Sequence, residues 1–143
     1  MIAASPFDAM AADYDRAFTQ SAIGRRLRAA TWRWLDAGFA AGDRVLELNC
    51  GTGEDALHLA RRGVRVLATD RSGAMLAATR AKIAGAGLAG QVDTALLALE
   101  DVGQWAARYP RLLDGLDRLE RRIETVPPLP WIADHYLIRF ERR

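Results

Sequence analysis

The residues able to do chemistry concentrate between Val45 and Asp70. Val45-Leu46-Glu47-Leu48 is a short apolar run that ends in Asn49-Cys50-Gly51-Thr52-Gly53. A helical stretch, a second apolar run and then Asp70 follow. Glycines at 51 and 53 let backbone approach a ligand where a Cβ would clash. The start of the helix behind them offers free N–H groups. An acid at the end of the second strand stands where a carboxylate accepts hydrogen bonds from two ribose hydroxyls. The pattern is that of a nucleoside site.

Two ligand classes fit it. Gly51-Thr52-Gly53-Glu54-Asp55-Ala56 matches the dinucleotide fingerprint G-x-G-x-x-G/A, which points to NAD(P) and an oxidoreductase. A pyrophosphate, however, seeks the bare positive end of the helix. Here Glu54 and Asp55 fill that first turn, and Glu47 stands just before the loop. Three carboxylates repel a diphosphate and suit a phosphate-free nucleoside carrying a sulfonium and an ammonium. S-adenosylmethionine has that chemistry.

Other reactive side chains are few. Cys50 is flanked by acids, which raise a thiol pKa and argue against a nucleophile. His58 falls mid-helix behind the loop and reads as a surface residue, and His135 falls in a final strand on the opposite parity from Tyr136 and Ile138. No catalytic base and no metal-ligating set is assigned.

The elements that must position this loop follow from periodicity. Residues 5–16 read as a short helical lead, with Ser5 as cap and Phe7, Met10, Ala11 and Tyr14 on one face. An amphipathic helix is expected from Ser21 to about Phe39. Ile23, Leu27, Ala30, Trp34 and Leu35 form its apolar stripe, while Arg25, Arg26, Arg28 and Arg33 point mostly elsewhere. Strands at Val45–Leu48 and Val64–Thr69 flank a helix over Glu54–Arg62 that ends at Gly63. Ser72 caps a helix over Gly73–Ala84, and Val92–Leu99 is a third strand. Strand and helix alternating with short links predict βαβ units and a parallel sheet over residues 43–99. Beyond residue 102 a helix with Leu112, Leu113, Leu116, Leu119 and Ile123 on one face runs to Pro127-Pro128, and WIADHYLIRFE reads as a last strand.

These residues resemble a known family. Glu47-Leu48-Asn49-Cys50-Gly51-Thr52-Gly53 is similar to motif I, (D/E)-x-G-x-G-x-G, of the class I S-adenosylmethionine-dependent methyltransferases. Thr69-Asp70-Arg71-Ser72-Gly73-Ala74-Met75-Leu76 is similar to their second motif. Phe7-Asp8, Ala11 and Tyr14-Asp15 resemble the N-terminal helix that closes over the cofactor in many small-molecule members. The resemblance covers about residues 7–102. It implies that Glu47, Asn49, Gly51 and Gly53 line the methionine half of the cofactor and that Asp70 binds ribose. Arg71 and Met75 would flank adenine, Glu100 or Asp101 approach its amino group, and Tyr14 cover the methionyl end. Asn49 stands where the family has glycine, and asparagine tolerates the left-handed region. The larger departure lies between Val102 and Pro110, where no Pro-Gly-Gly-type turn and no further apolar strand appears. The chain resembles an internally shortened member that lacks what normally supplies half the sheet and much of the acceptor pocket.

The implied fold is an α/β, Rossmann-like three-layer sandwich with a mainly parallel sheet, fewer strands and an antiparallel last strand. It is expected as one domain over 1–143, with N-terminal helices in 1–40, the cofactor-binding βαβαβ in 43–102 and a closing helix and strand in 109–143. Composition agrees. The chain's 143 residues, half of them hydrophobic, suffice for one core without staples. One cysteine excludes an internal disulfide and fits a cytoplasmic setting. A net charge of +2 makes no nucleic-acid footprint, no apolar run would span a membrane, and the first residues lack a signal-peptide pattern. The expected activity is methyl transfer from S-adenosylmethionine to a small molecule, with S-adenosylhomocysteine as product. The alternatives are a non-catalytic cofactor-binding or interaction module, and an NAD(P)-dependent oxidoreductase. Sheet edges opened by the shortening predict a homodimer that completes the sheet.

Overall fold

The structure, a computed structural model, describes Ser5, residues 7–97 and the backbone of residues 136–140. After a series of turns and a short π-helix at Asp15–Thr19 come α1 (Ala22–Gly38), β1 (Arg44–Leu48), α2 (Glu54–Arg61), β2 (Arg65–Asp70), α3 (Gly73–Gly85), β3 (Val92–Leu96) and β4 (Tyr136–Phe140). Each helix boundary has a local cause. Ser21 accepts from Gly24 N at 2.9 Å and starts α1, and Ser72 accepts from Met75 N at 3.1 Å and starts α3. Gly63, at φ 82°, supplies the left-handed residue that ends α2.

The sheet order is β3-β2-β1-β4. β1, β2 and β3 run parallel, with Val45 opposite Val66 and Val66 opposite Val92. β4 runs antiparallel to β1, with Leu48 opposite Tyr136 and Arg44 opposite Phe140. Both βαβ crossovers step the same way across the sheet, so right-handedness places α2 and α3 on one face. That face holds the core. Val45, Val66, Ala68 and Val92 meet Ala56, Leu57, Leu59 and Ala60 of α2, Leu76 and Ile83 of α3, and Leu35 of α1. Among the described residues no helix is long and apolar enough to cross a membrane.

Two expectations are corrected. The lead over 5–16 is not a regular helix. Residues 7–13 are turns, Phe7 and Met10 are 47% and 52% exposed, and only Ala11 of the expected apolar face is buried. Polar groups anchor this segment instead, as described below. The apolar stripe of α1 is also displaced. Ile23 and Trp34 are 69% and 58% exposed, whereas Gly24, Leu35 and the half-buried Arg28, Thr31 and Trp32 face the protein. Arg28, read as pointing away, turns inward because a buried carboxylate on α2 takes its charge. β3 and β4 are described over Val92–Leu96 and Tyr136–Phe140. The expected ends at residues 98–99 and 131–135, and the helix proposed after Tyr109-Pro110, lie outside the described residues.

Candidate functional site

The C-terminal ends of β1 and β2 carry two adjoining loops. The first turns sharply, with Asn49 at φ 56°, Gly51 at 56° and Gly53 at 77°. Asn49 does adopt the left-handed region, so the loop survives without the family's first glycine. Gly53 has no substitute: a Cβ there would stand 2.5 Å from Thr79 Cγ2. Thr79, fully buried on α3, donates to Gly51 O at 2.9 Å and so ties the loop to the neighbouring helix.

Asp70 joins the two loops. Its Oδ2 accepts from Gly51 N at 2.9 Å and its Oδ1 from Ser72 N at 2.8 Å. The carboxylate therefore orders both turns, and each oxygen keeps a further lone-pair direction for a ligand. Cys50 N donates to Thr69 O at 2.9 Å and Thr69 Oγ1 to Glu47 O at 2.8 Å, which locks the strand ends together.

Glu47 is the anomaly. It shares with Val45 the helix-covered face of β1 and is 0% exposed; no side chain hydrogen-bonds its carboxylate, and only the Ala56 backbone N–H approaches it. Burial first, then the negative charge of Asp55, with that of Asp70 added, pushes its carboxyl well above the ordinary range, although the Arg28 guanidinium pulls it down. Unsatisfied buried carboxylates are costly and call for an explanation at the site where they occur.

The other two acids of the expected negative cluster behave differently. Asp55 accepts from Arg28 at 2.7 Å and from Trp32 Nε1 at 2.8 Å, and Glu54 pairs with Lys82. Of the three carboxylates expected to be bare, Glu54 and Asp55 are thus paired, and only Glu47 has no cation within hydrogen-bond reach. Lys82 also lies 2.7 Å from Asp15, whose Oδ1 accepts from Thr52 at 2.6 Å. One lysine meets two carboxylates, so the corner beside the α2 N-terminus stays net negative.

The remaining predicted residues fall as follows. Arg71 follows Asp70, and its buried Nε has no partner. Met75 is 2% exposed and packs inside the first turn of α3. Tyr14 is half-buried at the start of the π-helix, its ring 5.7 Å from Phe18. Glu100 and Asp101 lie outside the described residues. Cys50 is buried, and burial first, with Glu47 and Asp70, pushes its thiol far up, which removes it as a nucleophile. His58 stacks on Trp32 at 4.3 Å with Nε2 2.6 Å from Asp36, an α1–α2 contact rather than a site residue; His135 lies outside the described residues.

Sequence reasoning gave no role to Lys82 or Thr52, and placed Asp8 only within the resemblance to a closing N-terminal helix. Asp8 accepts from Ser72 Oγ, the N-cap of α3, and from Ser5 N at 2.9 Å. The segment from Ser5 to Gln20 is thereby fastened to both loops. The one available signal was that Lys82 is the only lysine in an arginine-rich chain.

Residues 45–110 match a family described as "Methyltransferase domain". The chain is 38% identical over 81 residues to a demethylmenaquinone methyltransferase of Clavibacter sepedonicus, covering 55% of this chain and 32% of that protein. It is 37% identical over 51 residues to a putative methyltransferase, YqeM, of Bacillus subtilis (strain 168), covering 36% and 21%. It therefore spans a third or less of the length of these relatives. Among solved structures it is similar to a TehB-like SAM-dependent methyltransferase from Corynebacterium glutamicum, at 22% identity and TM-score 0.47, covering 64% of this chain and 46% of that one.

Proposed function

We propose that residues 45–110, which have the sequence of a methyltransferase domain, bind S-adenosylmethionine between the β1–α2 and β2–α3 loops, and that the chain serves methyl transfer to a small-molecule acceptor. The observation that carries this reading is Glu47. A buried carboxylate without a side-chain hydrogen-bond partner, beside a loop shaped by left-handed residues, is the complement of a ligand cation and the opposite of what a diphosphate needs.

The residues present fit the group. Glu47 would take the ammonium end. Asn49, Gly51 and Gly53 lend backbone to the methionine half, and Gly53 keeps the cradle free of a Cβ. Asp70 would accept from the ribose hydroxyls with the lone pairs not used by Gly51 and Ser72. Arg71 offers an unpartnered Nε at the adenine side, and Met75 packs behind it. Tyr14 would cover the methionyl end, and Glu100 or Asp101 would meet the adenine amino group. When bound, the cofactor supplies an electrophilic methyl on a good leaving group. The chain's own residues then contribute alignment and exclusion of water, and no general base is assigned.

One observation favours a second reading. Glu54 and Asp55 are paired internally, so they repel a diphosphate less than their sequence positions suggest, and the G-x-G-x-x-A spacing fits NAD(P). Melting the protein with S-adenosylhomocysteine and with NAD separates the two. A ligand at about a hundred times its Kd adds about 2.7 kcal/mol to stability. A rise with S-adenosylhomocysteine alone supports the proposal, and a rise with NAD alone overturns it. Methyl transfer to a panel of small acceptors then separates an enzyme from a binding module.

A further inference from the structure

We propose that the flank of α1 turned away from α2, together with the outer edge of β4, is the surface on which a second copy of this chain docks across a two-fold axis. The inference does not depend on what the loops bind. Ile23, Leu27, Ala30 and Trp34 recur every three or four positions along α1 and so share one stripe. The core does not use that stripe. Ile23 and Trp34 are 69% and 58% exposed, and Leu27 and Ala30 are half-buried. α1 is held from its opposite side. Arg28, Trp32 and Asp36, four residues apart, meet Asp55 and His58 of α2 and Arg62 at its end.

The place of the flank in the fold says what covers it. On α2, Asp55 and His58 face α1 while Glu54 pairs with Lys82 of α3, so α1 and α3 lie on opposite sides of α2. The helix layer therefore runs α1-α2-α3 over a sheet ordered β4-β1-β2-β3, with α3 packed on β3. The free flank of α1 looks out on the β4 side. Among the described residues β4 has β1 on one side and no strand on the other. Such an edge is a template for another strand. The sequence led only to an open sheet edge; the structure adds the apolar helix flank above it. Their occupant must bring both a strand and an apolar helix. Lipid has no groups to pair with a strand edge. A second copy brings the same edge and the same flank.

The stripe is also self-complementary. With a two-fold axis between Leu27 and Ala30, two α1 helices run antiparallel. Each Ile23 then lies level with the second copy's Trp34, and each Leu27 with its Ala30, a large residue beside a small one. Arg26 and Arg33 fall level with the second copy's Thr31 and Gly24, not with each other.

Sedimentation equilibrium of the full chain over a range of concentrations tests the interface. A reversible dimer is predicted, and Trp34→Glu and Ile23→Glu should each weaken it about tenfold or more. Both side chains face solvent in the single chain, so the dilute variants should melt with dilute wild type. Cross-linking tests the arrangement. Ile23→Cys and Trp34→Cys are treated with a short bismaleimide, to which the buried Cys50 stays silent. A mixture of the two variants should cross-link better than either alone. A wild type that stays monomeric overturns the proposal, and if that monomer sediments with phosphatidylglycerol vesicles through Trp34, the flank belongs to lipid instead. A dimer untouched by Trp34→Glu, or a mixture that cross-links no better than the single variants, overturns it equally.

Discussion

Arg28 Nη1 on α1 lies 2.7 Å from Asp55 Oδ2 on α2, and the Asp55 side chain is 1% exposed. With Trp32 Nε1 on its other oxygen, this carboxylate pins the first helix to the start of the second, near the buried Glu47. Removing one partner of a buried pair leaves an uncompensated charge. Arg28→Met should therefore cost about 3–5 kcal/mol in urea unfolding, and Arg28→Met with Asp55→Leu should recover much of it.

Glu47 predicts an opposition between stability and binding. Its carboxyl is raised in the folded protein, first by burial. The stability it contributes is then full below its ordinary value of 4.5 and is lost as pH rises toward the folded value. Glu47→Gln should accordingly stabilise the ligand-free protein at pH 7, by about 1–3 kcal/mol, and flatten the loss of stability above the ordinary carboxylate range. Melting curves against pH read both effects. A Glu47→Gln protein less stable than wild type at pH 7 would mean that the carboxylate has a stabilising partner.

Asp15 has the reverse sign. Burial pushes its carboxyl up, but hydrogen bonds from Lys82 and Thr52, and the charge of Lys82, bring it below 3.8. Its contribution is present above that value and is lost as pH falls through the lowered one. Asp15→Asn should be less stable than wild type at neutral pH, and the difference should close in acid. The comparison needs only denaturation at a few pH values between 2 and 7.

Gly53 and Gly73 are expected to respond oppositely to alanine. At Gly53 the backbone is left-handed and the new Cβ would meet Thr79 at 2.5 Å. The cost should exceed about 2 kcal/mol from strain and overpacking together. At Gly73, the first residue of α3, nothing lies within 4 Å of the added Cβ, so the change should be neutral or stabilising by up to about 1 kcal/mol. Denaturant midpoints with unchanged slopes would make the comparison clean.

Some of this was legible in the residues alone. β1, α2, β2 and α3 lie within a residue or two of where apolar runs and the punctuation of Gly53, Gly63 and Ser72 put them, because those signals are local. The same locality explains the failures. Arg28 faces inward for the sake of a carboxylate 27 positions on, which amphipathic patterning scores as a reason to face water. The N-terminal segment looked helical because its apolar spacing suited a helix, yet its anchors are Asp8 and Asp15. Glu54 and Asp55 read as bare charges because their cations come from α3 and α1. Loop conformation could be read from residue type, but charge pairing across the fold could not.

The central claim is that the crevice between Glu47 and Asp70 takes a cationic, phosphate-free nucleoside. Calorimetric titration with S-adenosylmethionine tests it most directly. Saturable binding of one ligand per chain is predicted, weakened about tenfold or more in Glu47→Gln and in Asp70→Ala. Silence at millimolar ligand, or the same isotherm from wild type and both variants, would contradict it.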